Sequence, residues 1–188
     1  MAIKIFIDQG HNPVNPNAGA EVNGIREQDI NYEVGVRLAA LLNSNPNFEA
    51  RLSRNTPTEQ LGTSTTTSLQ ARVYAANTWS ADFFISLHCN ASENKEASGS
   101  EAYVYDFNSA GYYMATCILQ GLHYMTELEN RGVFVNKNLY VLKATTMPAV
   151  LVEMGYMTNP KDLNLLTTDP QSFASGIYYG ILLYYGLV

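Results

Sequence analysis

Between Asp82 and Ser92 the chain reads DFFISLHCNAS, the stretch that most narrows its possible folds. From Phe83 to Leu87 only Ser86 is polar, so the run lacks the alternation of a strand with one wet face. Strands buried on both faces have this pattern, and they belong to parallel sheets covered by helices on each side. The run therefore predicts an α/β domain. His88 ends it, at the sheet edge where open α/β proteins place their ligands. Taken alone, His88 reads more simply as a partly buried histidine held by a hydrogen bond.

The rest of the chain alternates in the same way. Ile3 to Asp8 reads as a first strand, broken by Gln9-Gly10-His11-Asn12-Pro13 into a Gly- and Asn-rich loop ending near Gly24. Ile30, Val34, Leu38 and Leu41-Leu42 recur at helical spacing and predict a helix from about Glu27 to Leu42. Phe48 to Leu52 reads as a strand and Thr56 to Thr67 as a polar loop. Leu69, Val73 and Ala76 mark a helix ending near Trp79, and Asn90 to Ser100 a polar loop. Ala102 to Tyr105 follows as a strand, then a helix from Ala110 to about Glu127. Leu139–Leu142 and Ala149–Val152 read as two more strands, and a helix from about Ser172 closes the chain. The pattern predicts one layered domain over residues 1–188, a mostly parallel twisted sheet of about six strands flanked by helices.

Composition fits that size. With 46% hydrophobic residues in 188, the chain can bury a core without disulfides. Cys89 and Cys117 form neither a CxxC pair nor a disulfide framework. Acidic residues outnumber basic ones, 17 to 11, with no basic tract, which argues against a nucleic-acid partner. The apolar tail Ile177–Tyr185 is too short to span a membrane. Its neighbouring Gly176 and Gly180 are expected to let the last helix pack closely on the sheet. Met1-Ala2-Ile3-Lys4 reads directly into a strand, so no secretory leader is expected in this stretch.

Three strand ends carry chemistry: Asp8-x-x-His11, Leu87-His88-Cys89-Asn90, and Leu151-Val152-Glu153. A glutamate directly after a buried strand must be paired or put to use. Arg54, Arg72 and Arg131 are available as partners, and the functional alternative is a general base beside a metal. Two histidines and a carboxylate form a common catalytic zinc set. The carboxylate candidates are Asp8, Glu21, Glu27, Asp29 and Glu153, and spacing does not choose among them.

Four stretches together resemble the zinc-dependent N-acetylmuramoyl-L-alanine amidases often called amidase family 3, found in bacterial cell-wall hydrolases and phage endolysins. Ile5-Phe6-Ile7-Asp8-Gln9-Gly10-His11 is similar to the family's strand-then-DPGHG opening. Glu27, with Asp29, Ile30 and Asn31, resembles its E-x-x-x-N helix start. Ala81–Ser92 resembles its AD-(apolar)-S-x-H-x-NA segment, and Met147–Asn159 its P-(apolar)-E-x-G closing segment. The resemblance covers residues 3–159 and implies His11, Glu27 and His88 as Zn2+ ligands with Glu153 as catalytic acid/base. Gln9 stands where the family usually has proline, and Asn12 where it has glycine, so the first loop is expected to differ in shape. Cys89, pointing to the opposite strand face from His88, is expected to be a core thiol.

The implied reaction is hydrolysis of the amide between N-acetylmuramic acid and L-alanine of the peptidoglycan stem peptide. Asn90, on the same strand face as His88, and Arg131, in an Arg-Gly-Val element, are weaker substrate-binding candidates. A salt bridge is an equal alternative for Arg131. His123 is expected to be filler. Two competing functions remain: a zinc peptidase cutting within the stem peptide, and a non-catalytic wall-binding module. The implied setting is the cell wall, extracellular or periplasmic, for a monomer that is a secreted mature form, an isolated domain or a phage lysin.

Overall fold

The computed structural model describes residues 2–188. In chain order the elements are β1 (Ile3–Gln9), β2 (Glu21–Val22), β3 (Ile25–Arg26), α1 (Glu27–Asn43), β4 (Phe48–Leu52), α2 (Thr65–Trp79) and β5 (Phe83–Asn90). They continue as β6 (Ser100–Val104), α3 (Ala110–Thr126), β7 (Asn130–Val135), α4 (Tyr140–Ala144), β8 (Ala149–Tyr156), α5 (Pro160–Thr168) and α6 (Pro170–Tyr185).

The apolar runs β1, β5 and β8 form the middle of a six-stranded sheet ordered β4-β1-β5-β8-β6-β7. All neighbours are parallel except β6 and β8, which run antiparallel. Alternate side chains feed two cores. Ile5, Ile7, Phe83, Ile85, Leu87, Val150 and Val152 pack beneath α1, α3, α5 and α6. Phe6, Phe84 and Leu151 meet the smaller cover of α2 and α4. The thinner second face carries the chemistry, because His88 and Glu153 share the parity of Phe84 and Leu151.

Three expectations needed revision, and one strand, β7, had not been anticipated. Leu139–Leu142 belongs largely to the short helix α4, since a four-residue apolar run fits either period. The edge strand β7 begins with polar Asn130-Arg131-Gly132 and carries no strand pattern there. Helix α2 starts four residues before Leu69, inside the expected loop, because Ser64 and Thr67 form a reciprocal capping box. Gly176 and Gly180 face α3 rather than the sheet: a Cβ on Gly180 would lie 2.5 Å from the Ile118 Cα, and one on Gly176 2.9 Å from the Gly121 carbonyl. Close helix–helix approach is what requires these glycines.

Candidate active site

His11, Glu27 and His88 meet at the C-terminal edge of β1 and β5, with one ligand atom from each lying within 4.8 Å of the others. Glu27 opens α1, whose N-terminus lacks a side-chain cap and so offers positive potential to a carboxylate. The Glu27 side chain turns back toward the sheet. Its Oε1 lies 3.1 Å from His11 Nε2 and 3.0 Å from His88 Nδ1, and it accepts the Cys89 backbone N–H at 3.1 Å. Oε2 accepts the Ala20 N–H at 3.0 Å. Burial opposes the Glu27 charge, but the hydrogen bonds and charges of His11 and His88 outweigh it and hold the carboxyl well below the usual range.

Two glycines make room for this cluster. A Cβ on Gly10 would sit 2.5 Å from both His88 Cε1 and the Leu87 carbonyl oxygen. One on Gly19 would sit 2.6 Å from Glu27 Oε2.

The loop bearing His11 is held from below. His11 has φ of 68°, in the left-handed region that costs a non-glycine residue about 1–2 kcal/mol. Arg72, fully buried on α2, donates to the His11 carbonyl at 2.6 Å, to the Gln9 carbonyl at 2.6 Å and to Asp8 Oδ1 at 2.6 Å. Ser86 donates to the other Asp8 oxygen at 2.8 Å. Asp8 therefore anchors Arg72 and does not join the histidines. The two unusual residues of the loop also have partners. Gln9 Oε1 accepts the Arg54 N–H at 2.9 Å, tying β1 to the end of β4. Asn12 Nδ2 donates to the carbonyls of Pro16 and Leu61, both at 2.9 Å.

Glu153 is the direct register partner of His88 across β5 and β8. Its Oε2 is buried with no hydrogen-bond partner among the described residues. Burial first, then the charges of Glu27 and Glu101, push its carboxyl up to about 8. None of the three arginines considered as partners pairs with it. Arg54 donates to the Gln28 carbonyl, Arg72 to Asp8, and Arg131 to Glu101.

Asn90 and Arg131 also converge, but on Glu101: Asn90 Nδ2 reaches Oε1 at 2.9 Å and Arg131 Nε reaches Oε2 at 3.0 Å. Glu101 had no signal in the sequence beyond a lone acid in an otherwise ordinary strand. Cys89 is buried with its Sγ 3.5 Å from Asn31 Oδ1, on the core side as expected. His123 is exposed on α3, with Nδ1 2.7 Å from the Leu128 carbonyl. A cleft of about 240 Å³, lined by His11, His88, Leu69, Tyr140 and Leu151 among others, opens onto the two histidines. The larger hollow, about 550 Å³ beside Trp79 at the β4 edge, contains neither histidine nor carboxylate.

Several known proteins are similar to this chain over most of its length. CwlM, an N-acetylmuramoyl-L-alanine amidase of Bacillus licheniformis, is 33% identical over 183 residues, covering 95% of this chain and 67% of that protein. The sporulation-specific N-acetylmuramoyl-L-alanine amidase of Bacillus subtilis (strain 168) is 31% identical over 182 residues, with the same two coverages. The catalytic domain of CwlV, an N-acetylmuramoyl-L-alanine amidase from Bacillus (Paenibacillus) polymyxa var. colistinus, superimposes with a TM-score of 0.85. Its identity is 29%, and 99% of each chain is covered. The family model described as Amidase_3, N-acetylmuramoyl-L-alanine amidase, matches residues 5–182, and the chain belongs to that family.

Proposed function

We propose that this protein hydrolyses the amide joining N-acetylmuramic acid to L-alanine of the stem peptide, with Zn2+ held by His11, Glu27 and His88 and Glu153 as acid/base. The observation that carries the reading is the meeting of His11 Nε2, His88 Nδ1 and Glu27 Oε1 beside an unpaired buried carboxylate. The donor set suits the ion: two imidazole nitrogens and one carboxylate oxygen make a common catalytic zinc site that keeps a position open for water or substrate. The Cys89 and Ala20 amides fix the carboxylate that would bind it, as supporting hydrogen bonds do around metal ligands. When bound, the ion would polarise the scissile carbonyl and lower the pKa of a water molecule to about 7.

The protein's own residues handle the proton. Glu153 accepts it from the attacking water as the new C–O bond forms. It then returns it to the alanine nitrogen as the C–N bond breaks. A positioned acid/base of this kind is typically worth about 10²–10⁴-fold in rate. Glu153 Oε2, buried without a hydrogen-bond partner among the described residues, is free to take and return that proton. Arg131, part-exposed and held by Glu101, would meet a carboxylate of the stem peptide, with Asn90, also bonded to Glu101, beside it. The substrate sets the place of action as the cell wall.

The test is metal content read beside wall lysis. Glu153→Ala should retain one equivalent of zinc and lose lysis, whereas His88→Ala should lose the metal. Near-parental turnover by Glu153→Ala would remove the acid/base assignment.

A further inference from the structure

Glu101 is a second carboxylate buried beside Glu153, and the reaction above leaves it without a task. It lies on β6 directly opposite Glu153 in antiparallel register and is 5% exposed. Side chains so placed have Cβ atoms about 4.5–5.5 Å apart. The two glutamates nevertheless differ completely in company. Glu101 Oε1 accepts from Asn90 Nδ2 at 2.9 Å and from the Tyr103 hydroxyl at 2.8 Å. Oε2 accepts from Arg131 Nε at 3.0 Å and the Tyr156 hydroxyl at 3.0 Å. Four strands thus send donors to one carboxylate, while Glu153 Oε2 receives none. The Arg131 guanidinium is further held over the Tyr156 ring, 5.2 Å from its centroid, and Nη1 donates to the Ser98 carbonyl at 3.3 Å.

Resting on the assignment of Glu153 as acid/base, we propose that Glu101 is a positioning residue that captures Arg131 and so keeps the guanidinium off Glu153. An arginine seeks a carboxylate and binds it in short, charge-assisted hydrogen bonds. Released from Glu101, Arg131 would have the register partner of Glu101, Glu153, as the neighbouring carboxylate to turn to. Pairing there would occupy the lone pairs that must take the water's proton, and would oppose protonation. Glu101 resolves the competition by being the fully coordinated site.

A double-mutant cycle separates this role from simple packing. Turnover of a soluble N-acetylmuramoyl peptide is followed for the parent, Glu101→Gln, Arg131→Met and the combined variant, each loaded with zinc. Glu101→Gln should lower kcat roughly 10²-fold, near the lower end of what a positioned base supplies. In the Arg131→Met background, the same change should alter kcat by less than about threefold, although KM is raised in both. Equal losses in the two backgrounds would overturn the proposal, as would parental kcat in Glu101→Gln alone. Should Glu101→Gln fail to fold, Glu101→Met with Arg131→Met removes both charges together, which a core tolerates better than an orphaned one. Its kcat should match Arg131→Met within about threefold, and a larger loss again overturns the proposal. Glu153→Ala in the same assay keeps the two readings apart. If it is inactive and the cycle is additive, only the role of Glu101 fails; if it turns over normally, the acid/base assignment fails first.

Discussion

Replacing Glu153 with glutamine should change how the stability of the metal-free protein depends on pH, and in a direction opposite to most carboxylate changes. Burial, with the charges of Glu27 and Glu101, raises the Glu153 carboxyl from an ordinary 4.5 to about 8. Between those values the folded chain keeps a proton that the unfolded chain releases. Unfolding therefore becomes easier as pH rises, by roughly 1 kcal/mol per pH unit and about 3–4 kcal/mol across the window. Glutamine is neutral in both states and has no such slope. The two proteins should be similarly stable near about pH 4.5, and Glu153→Gln the more stable by several kcal/mol near about pH 8. Urea unfolding in the presence of chelator, at steps of about one pH unit, reads the difference directly. His11, His88 and Glu27 are common to both proteins and cancel. Parallel stability curves for the two proteins would refute the reasoning, because they would mean that Glu153 is ionised in the fold at ordinary cost.

Gly10→Ala places a methyl 2.5 Å from the Leu87 carbonyl and the His88 ring. It should destabilise the fold by about 1–3 kcal/mol and weaken zinc about 10–100-fold, measured by competition with a chromophoric chelator; parental affinity would contradict the packing argument. Asp8→Asn leaves the Arg72 charge buried without its carboxylate and should cost about 3–5 kcal/mol in urea unfolding. The same pair sets acid sensitivity. Although burial opposes it, Arg72 holds the Asp8 carboxyl below its ordinary value, so its contribution is complete above the unfolded pKa. That contribution is lost as pH falls through the folded value, and Asp8→Asn should flatten that acid limb. Zinc at about 100 times its dissociation constant should stabilise the parent by about 3 kcal/mol, and should leave His88→Ala unmoved in the same thermal scan.

How much of this was legible depends on which part of the chain carried the information. β5 could be read because both its faces are buried, and α1 because Ile30, Val34 and Leu38 keep helical spacing. α4 and β7 could not, since one is a short apolar run and the other an edge strand opening on polar residues. In the site, His88 and Glu153 stood out as polar residues ending apolar strands. Their adjacency did not, because register between β5 and β8 is a property of the assembled sheet. Glu101 was silent for the same reason: its four partners come from four strands and meet only in the fold. The steric duties of Gly10 and Gly19 depend on contacts across loops that no local pattern encodes.

The central claim is that this chain cuts the bond between the lactyl group of N-acetylmuramic acid and L-alanine, with a metal held at His11, Glu27 and His88. Mass analysis of purified peptidoglycan digested by zinc-loaded protein tests it most directly. The account predicts intact stem peptides with free N-terminal alanine alongside unbroken glycan, and no release from chelated protein until zinc is restored. Stem peptides truncated at an internal bond, or the same products from fully chelated protein, would contradict it.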